Sequence, residues 1–318
     1  VPTMAGCWQR PCARTPRPGP SPCKTACPRL IGRCFTSRSS CPAVMRRPKS
    51  CRVASPRWNC RRRWANRGLR WVGAQRWRKF VVVGNGRYRV GLIGTGAFYG
   101  RGEPSLNIQI GDGPLWAQPW RFADRDEWVF QELTYTGTAA EISQDDIDAE
   151  RARLREIWSQ VTPEPYWTAP FTLPIADYLS VTSTYGDRRS VNGGPYNRYH
   201  EGVDFSAYGG TPVLAPAAGK VVVAEGLAVR GGAVILDHGL GIHSGYYHLS
   251  DIMVAPGQMV QPGDVVGAVG TTGLSTGNHL HWDMLVGITW VDGQAWLAQD
   301  MACWIRTAVG EACTGTGD

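Results

Sequence analysis

Asn278-His279-Leu280-His281-Trp282 sets two histidines one residue apart. On a strand, side chains alternate faces, so both imidazoles project to the same side. The chain has six histidines in 318 residues: His200, His238, His243, His248, His279 and His281. Tyr199-His200-Glu201-Gly202-Val203-Asp204 adds a histidine and a carboxylate four positions apart. Fully extended, that spacing separates the two Cα atoms by ~13 Å. Two ligands of one tetrahedral zinc need donor atoms within ~3–4 Å. His200 is therefore expected on a bend ahead of the strand carrying Asp204, with Gly202 supplying flexibility. Gly202 and β-branched Val203 argue against a helical arrangement of the pair.

His200, Asp204 and one histidine of the 279/281 pair compose a His-Asp-His site. Three protein ligands with an open position is the catalytic form of zinc. A structural zinc wants four ligands, usually including cysteine, and no cysteine lies near these residues in sequence. The other histidine of the pair, with His248 from Tyr246-Tyr247-His248-Leu249, suits the roles of proton acceptor and oxyanion donor. Residue types and spacing thus point to a hydrolytic zinc site. They leave open which of His279 and His281 is the ligand. His243 reads as an exposed turn histidine.

The elements that must position these groups are short. Val213-Leu214-Ala215-Pro216 and residues 220–224, 233–237 and 265–269 are apolar strands, separated by Gly209-Gly210, Gly231-Gly232, Pro256-Gly257 and Pro262-Gly263-Asp264. Many short strands with Gly/Pro turns predict a mostly β, sandwich-like or barrel-like core over 172–291. Before it, Ser143 with Asp146 resembles a capping box. Ile147, Leu154, Ile157 and Trp158 give a partial apolar stripe, so 143–160 is predicted as a connecting helix, stopped by Pro163 and Pro165. Alternating segments at 88–93, 106–110 and 128–135 predict a small antiparallel β module over 81–140, in which no catalytic constellation appears.

Residues 1–80 contain 20 Lys and Arg, no Asp or Glu, and eight of the ten cysteines. The remaining residues hold 14 basic and 26 acidic side chains, so the net charge of +8 belongs to the tail. The expectation for 1–80 is a basic Cys/Pro/Arg-rich low-complexity tail, either disordered or not a genuinely translated segment. Zinc binding there is disfavoured by irregular cysteine spacing and the absence of histidine. Nucleic-acid binding would rest on this tail alone and is not expected. No apolar run reaches the length of a membrane span, and no export signal is visible in this sequence. Cys303 and Cys313 could close a short disulfide loop, which suits an oxidising compartment.

Five motifs in order, Val181-Thr182-Ser183-Thr184-Tyr185-Gly186, His200-x-x-x-Asp204, Asp237-His238-Gly239, Tyr246-Tyr247-His248-Leu249 and Thr272-Gly273-Leu274-Ser275-Thr276-Gly277-Asn278-His279-Leu280-His281, resemble the M23 peptidases of the LytM and lysostaphin type. The resemblance covers about residues 179–291. It implies an antiparallel β-sheet peptidase domain with a groove, placed here at 166–300. A small β module (81–140), a connecting helix and linker (141–165) and a C-terminal tail (301–318) complete the expected layout. It further implies one Zn²⁺ held by His200, Asp204 and His281, with His248 and His279 as catalytic histidines. His238 is not carried over as catalytic. The implied activity is zinc-dependent endopeptidase hydrolysis of peptidoglycan cross-bridges or stem peptides by a metal-activated water. The implied setting is extracytoplasmic, with peptidoglycan or peptide as partner and the chain a monomer. A catalytically silent wall-binding or division-regulating module is the alternative, weakened because none of the five key residues is missing. Ser244 departs from the family's usual threonine.

Overall fold

The computed structural model describes residues 88–98, 114–119 and 128–309, and otherwise only short strands upstream. These strands, with two from the first two ranges, are β1 (Leu30–Ile31), β2 (Ser40–Met45), β3 (Leu69–Gly73), β4 (Arg76–Lys79), β5 (Val81–Val83), β6 (Tyr88–Gly94), β7 (Ser105–Ile110) and β8 (Leu115–Pro119). They form two four-stranded sheets, ordered β1-β2-β6-β5 and β4-β3-β7-β8. Strands β1 to β4 thus fall in a segment whose side chains carry no strand pattern. Their backbones pair with each other and with the alternating segments β6 and β7 further along. Most of the expected basic tail lies outside the described residues, as does Cys313.

The remaining elements are β9 (Phe130–Leu133), α1 (Gln144–Ser159), β10 (Ser180–Ser183), β11 (Arg188–Val191), β12 (Arg198–Tyr199), β13 (Gly202–Ser206), β14 (Pro212–Leu214), β15 (Gly219–Leu227), β16 (Gly231–Gly239), β17 (Ile242–Ile252), β18 (Met259–Val260), β19 (Val265–Val269), β20 (His279–Val286), β21 (Thr289–Val291), α2 (Gly293–Ala298) and α3 (Met301–Val309). The fold is mostly antiparallel β. A ten-stranded sheet runs β10-β13-β20-β17-β16-β15-β18, with β21 on β20 and β19 joining β14 to β17. A three-stranded sheet, β12-β11-β9, stands beside it. Strand β9 therefore pairs with the site-bearing half of the chain rather than with β6 or β7.

Period-two alternation sorts the large sheet into two apolar layers. On β20, Leu280, Trp282, Met284 and Val286 enter the main core with Val203, Phe205, Val234, Leu236, Trp167 and Phe171. Its odd-numbered residues face the other way. There Leu285 packs with Ala233, Ile235, Tyr247, Trp290 and the α1 residues Leu154 and Trp158. His279, His281 and Asp283 share that second face with Leu285, so α1 covers one end of the face that carries the site. The capping box is formed: Asp146 N–H donates to Ser143 Oγ (3.1 Å) and Ser143 N–H to Asp146 Oδ2 (3.2 Å). At the C-terminus, helical α3 inserts Met301, Ala302 and Ile305 into the main core, so the structured body continues beyond residue 300. Among the described residues no helix is long and apolar enough to cross a membrane.

Candidate metal centre and cleft

His281 lies in the middle of the sheet. Its register partners are Asp204 on β13 and Tyr247 on β17. His200 lies between β12 and β13, two residues before the start of β13, and is anchored by its backbone, its N–H donating to Asp187 O (2.8 Å) while its own carbonyl accepts from Gly186 N–H (2.8 Å). The chain thus turns ahead of the strand, as the spacing requires. The role of Gly202 differs from the expectation. It is a strand residue facing Trp282, and a Cβ there would lie 2.3 Å from the Trp282 carbonyl oxygen and 2.8 Å from His281 Nε2. Glycine is needed for the close approach of β13 to β20 rather than for a bend.

Three donor atoms converge. His200 Nε2 is 2.9 Å from Asp204 Oδ1 and 3.0 Å from His281 Nδ1, and His281 Nδ1 is 2.8 Å from Asp204 Oδ1. His200 Nδ1–H donates to Thr184 O (3.1 Å) and Ser183 Oγ (2.8 Å), which places the lone pair on Nε2, aimed inward. Three electron-rich atoms therefore meet where at most one proton, on His281 Nδ1, can separate them. That donor set fits a tetrahedral cation with one position left for a small ligand. Behind it, Arg189 donates to Asp204 Oδ2 (3.0 Å) and to Ser183 Oγ (3.0 Å), and Ser183 donates to Asp187 (3.1 Å). These are the orienting contacts that metal ligands require. Burial opposes charge on Asp204, yet its polar neighbours hold its carboxyl well below the usual range.

His248 sits at an irregularity of β17. The first half of β17 pairs with β20 through Tyr247, and the part from Leu249 onward pairs with β19. Between them Tyr246 aligns with Val234 and Leu249 with Gly232, so β17 has one extra residue there, a β-bulge. His248 carries φ of 62°, a left-handed conformation unusual for a side chain of its size. Its Nδ1–H donates to Thr272 O (2.8 Å), leaving Nε2 as the unprotonated nitrogen. Burial, reinforced by His279, lowers its pKa to about 4, so it is neutral at pH 7. His279 lies 4.8 Å away ring to ring, and its Nδ1–H donates to Gly277 O (2.8 Å). Its Nε2 is 3.8 Å from Asp204 Oδ1. All five residues singled out in the sequence are thus gathered in one place.

The cleft beside them encloses about 470 Å³. His248, His281, Tyr247 and Trp290 line it, together with Ile147, Arg151 and Arg155 of α1. Helix α1 therefore does more than connect. Glu150, nearly buried on α1, accepts from Val229 N–H (2.7 Å) and Arg230 (2.9 Å), docking the helix against the turn between β15 and β16. Arg189 and Arg230 were not legible as site residues, because no periodicity or motif marks them, and Glu201 stood as an unassigned position within His200-x-x-x-Asp204.

His243 corrects an expectation. It is buried, with 1% exposure, close to Asp237. The linker after α1 folds over the β16–β17 turn: Leu240 N–H donates to Thr162 O, Tyr166 N–H to His238 O, and Thr162 Oγ1 to Asp237. A Cβ at Gly239 would strike Glu164 O at 2.0 Å. The turn is exposed only if the linker is ignored.

Residues 198–293 match the model of Peptidase family M23. Over 111 residues the chain is 47% identical to an uncharacterized metalloprotease of Haemophilus influenzae, covering 35% of this chain and 23% of that protein. Over 113 residues it is 40% identical to the peptidoglycan DD-endopeptidase ShyA of Vibrio cholerae, covering 36% of this chain and 26% of that protein. The chain thus spans about a quarter of the length of these curated relatives. A crystal structure of a putative M23 peptidase from Pseudomonas aeruginosa superposes with a TM-score of 0.54 at 25% identity, covering 72% of this chain and 87% of that one. Residues 198–293 form a domain of peptidase family M23.

Proposed function

We propose that this protein is a zinc-dependent endopeptidase that hydrolyses peptide bonds of bacterial peptidoglycan outside the cytoplasm. The observation carrying this reading is the convergence of His200 Nε2, Asp204 Oδ1 and His281 Nδ1 within 3.0 Å of one another, beside two histidines with their Nδ1 atoms committed to backbone carbonyls. In this reading His200, Asp204 and His281 hold the metal. A zinc ion bound there would polarise the scissile carbonyl and acidify a water molecule.

His248, neutral at physiological pH with Nε2 unprotonated, accepts a proton from the attacking water and returns it to the departing amine nitrogen. His279, 4.8 Å from His248 ring to ring, steadies the tetrahedral intermediate. Arg189 holds Asp204 in its ligating orientation. The cleft bordered by α1 receives the peptide. Peptidoglycan as substrate is supported by the peptidoglycan DD-endopeptidase among its relatives, and that substrate lies outside the cytoplasm. Cys303 is disulfide-bonded, which accords with an oxidising compartment.

The test is incubation of the zinc-loaded chain with purified peptidoglycan. New amino termini should appear, disappear with a chelator, and return with zinc. Stoichiometric zinc binding with no new termini would sink the hydrolytic reading and favour a silent wall-binding module.

A further inference from the structure

Part of the cleft wall comes from outside the catalytic sheet. Ile147, Arg151 and Arg155 recur every four residues and so share one face of α1. The neighbouring face, with Glu150, Leu154 and Trp158, is buried. Strand β12 brings Arg198 to the same cleft, where it donates to Gln144 Oε1 of α1 (3.4 Å). Five arginines line the cavity, Arg151, Arg155, Arg189, Arg198 and Arg230, against one lining carboxylate, Glu201.

Three of the five are matched internally. Arg189 pairs with Asp204 (3.0 Å), Arg230 with Glu150 (2.9 Å) and Glu201 (3.5 Å), and Arg151 with Glu201 (3.4 Å). Among the described residues, Arg155 and Arg198 have no carboxylate within ion-pair distance. Both are exposed. Residues 81–318 carry more acidic than basic side chains, so this basic lining departs from the composition around it. An ordinary solvated charge face would belong to one element, whereas here a helix and a strand direct cations into one cavity.

We infer that Arg155 and Arg198 form a subsite for a carboxylate on the substrate peptide, so that the enzyme selects carboxylate-bearing peptides over neutral ones. The guanidinium fork matches a carboxylate through paired charge-assisted hydrogen bonds. The inference rests on the hydrolytic reading for the identity of the ligand as a peptide. The anion preference rests on the arginines alone.

Binding and turnover are measured separately. Two cross-linked peptides are used, identical except that one bears a free carboxylate near the scissile bond and the other its amide. Zinc-loaded full-length chain carrying His248→Ala should bind the carboxylate peptide about tenfold more tightly. Arg155→Gln and Arg198→Gln should each shrink that preference to about twofold, and salt near ~0.5 M should shrink it too. Thermal melts of both variants confirm that they fold. With His248 intact, the preference should appear in KM rather than kcat. Equal binding of the two peptides, or a preference that survives both substitutions, would overturn the subsite. Carboxylate preference in binding without any cleavage would support the subsite and defeat the hydrolytic reading. Cleavage of both peptides with equal KM would do the reverse.

Discussion

His248 and His281 occupy neighbouring strand positions yet differ in what their loss should do. His281 Nδ1 points at Asp204 and His200. His248 turns away from that cluster through a left-handed backbone and binds Thr272 O. His281→Ala should therefore abolish zinc binding, read by metal analysis after dialysis. His248→Ala should keep zinc and lower kcat by about 10²–10⁴-fold, the range for losing a general base. Retained activity in the His281 variant would contradict the ligand assignment. Gly202 has a packing requirement with no slack: the atom a Cβ would meet is backbone, at 2.3 Å. Gly202→Ala should force β13 away from β20 and disturb Asp204 and His281 together. Loss of both zinc affinity and solubility is expected, read by metal content of the soluble fraction.

The helix shows how an element outside the family-matched range shapes the site. Leu154 and Trp158 are fully buried against Ile235, Tyr247 and Leu285. Leu154→Ala should cost about 2–5 kcal/mol, as for other large-to-small core changes. Because the same helix presents Ile147, Arg151 and Arg155 to the cleft, that variant should also raise KM at temperatures where the sheet remains folded. Denaturant titration and steady-state kinetics on one preparation would separate the two effects. Ser143→Ala removes the cap that closes the box with Asp146 and should cost about 1 kcal/mol.

At the scale of the molecule, stability should depend on pH through histidines remote from the chemistry. His238 is fully buried, its Nδ1–H donating to Ala218 O (2.8 Å) and its Nε2 accepting from Ser244 Oγ (2.7 Å). Burial holds its pKa down at about 4. The unfolded value is about 6.5, so the unfolded chain binds more protons between those limits. The contribution of His238 is complete above pH 6.5 and is lost as pH falls toward 4, by up to about 3 kcal/mol. His243, also lowered to about 4 by burial, acts in the same direction. Urea midpoints should fall from pH 7 to pH 4.5, and His238→Gln should flatten that slope. Zinc should add its own term: at 100-fold excess over its dissociation constant, about 2.7 kcal/mol of stabilisation, removed by chelation. A melting temperature unmoved by chelator would argue against a bound metal in the folded chain.

Much of the site was legible in the primary sequence because its signals are local. His279-x-His281 on a strand determines two imidazoles on one face, since period two is a property of any extended chain. His200-x-x-x-Asp204 demands a turn before a strand by distance alone. Short apolar runs between Gly/Pro turns determine a β core, and a Ser-x-x-Asp cap with an apolar stripe determines a helix. What these signals could not contain is which partners lie alongside. That His281 rather than His279 faces Asp204 follows from the register of β13 on β20. The role of Gly202 follows from how closely those strands approach. The burial of His243 depends on a linker that comes back from 75 or more positions earlier in the chain to cover its turn. The cleft-lining face of α1 depends on Glu150 meeting Arg230 eighty residues away. Long-range pairing selects among faces and registers that local pattern leaves equivalent, so the tertiary structure decided which histidine of the pair lies against Asp204 and what surrounds the five residues.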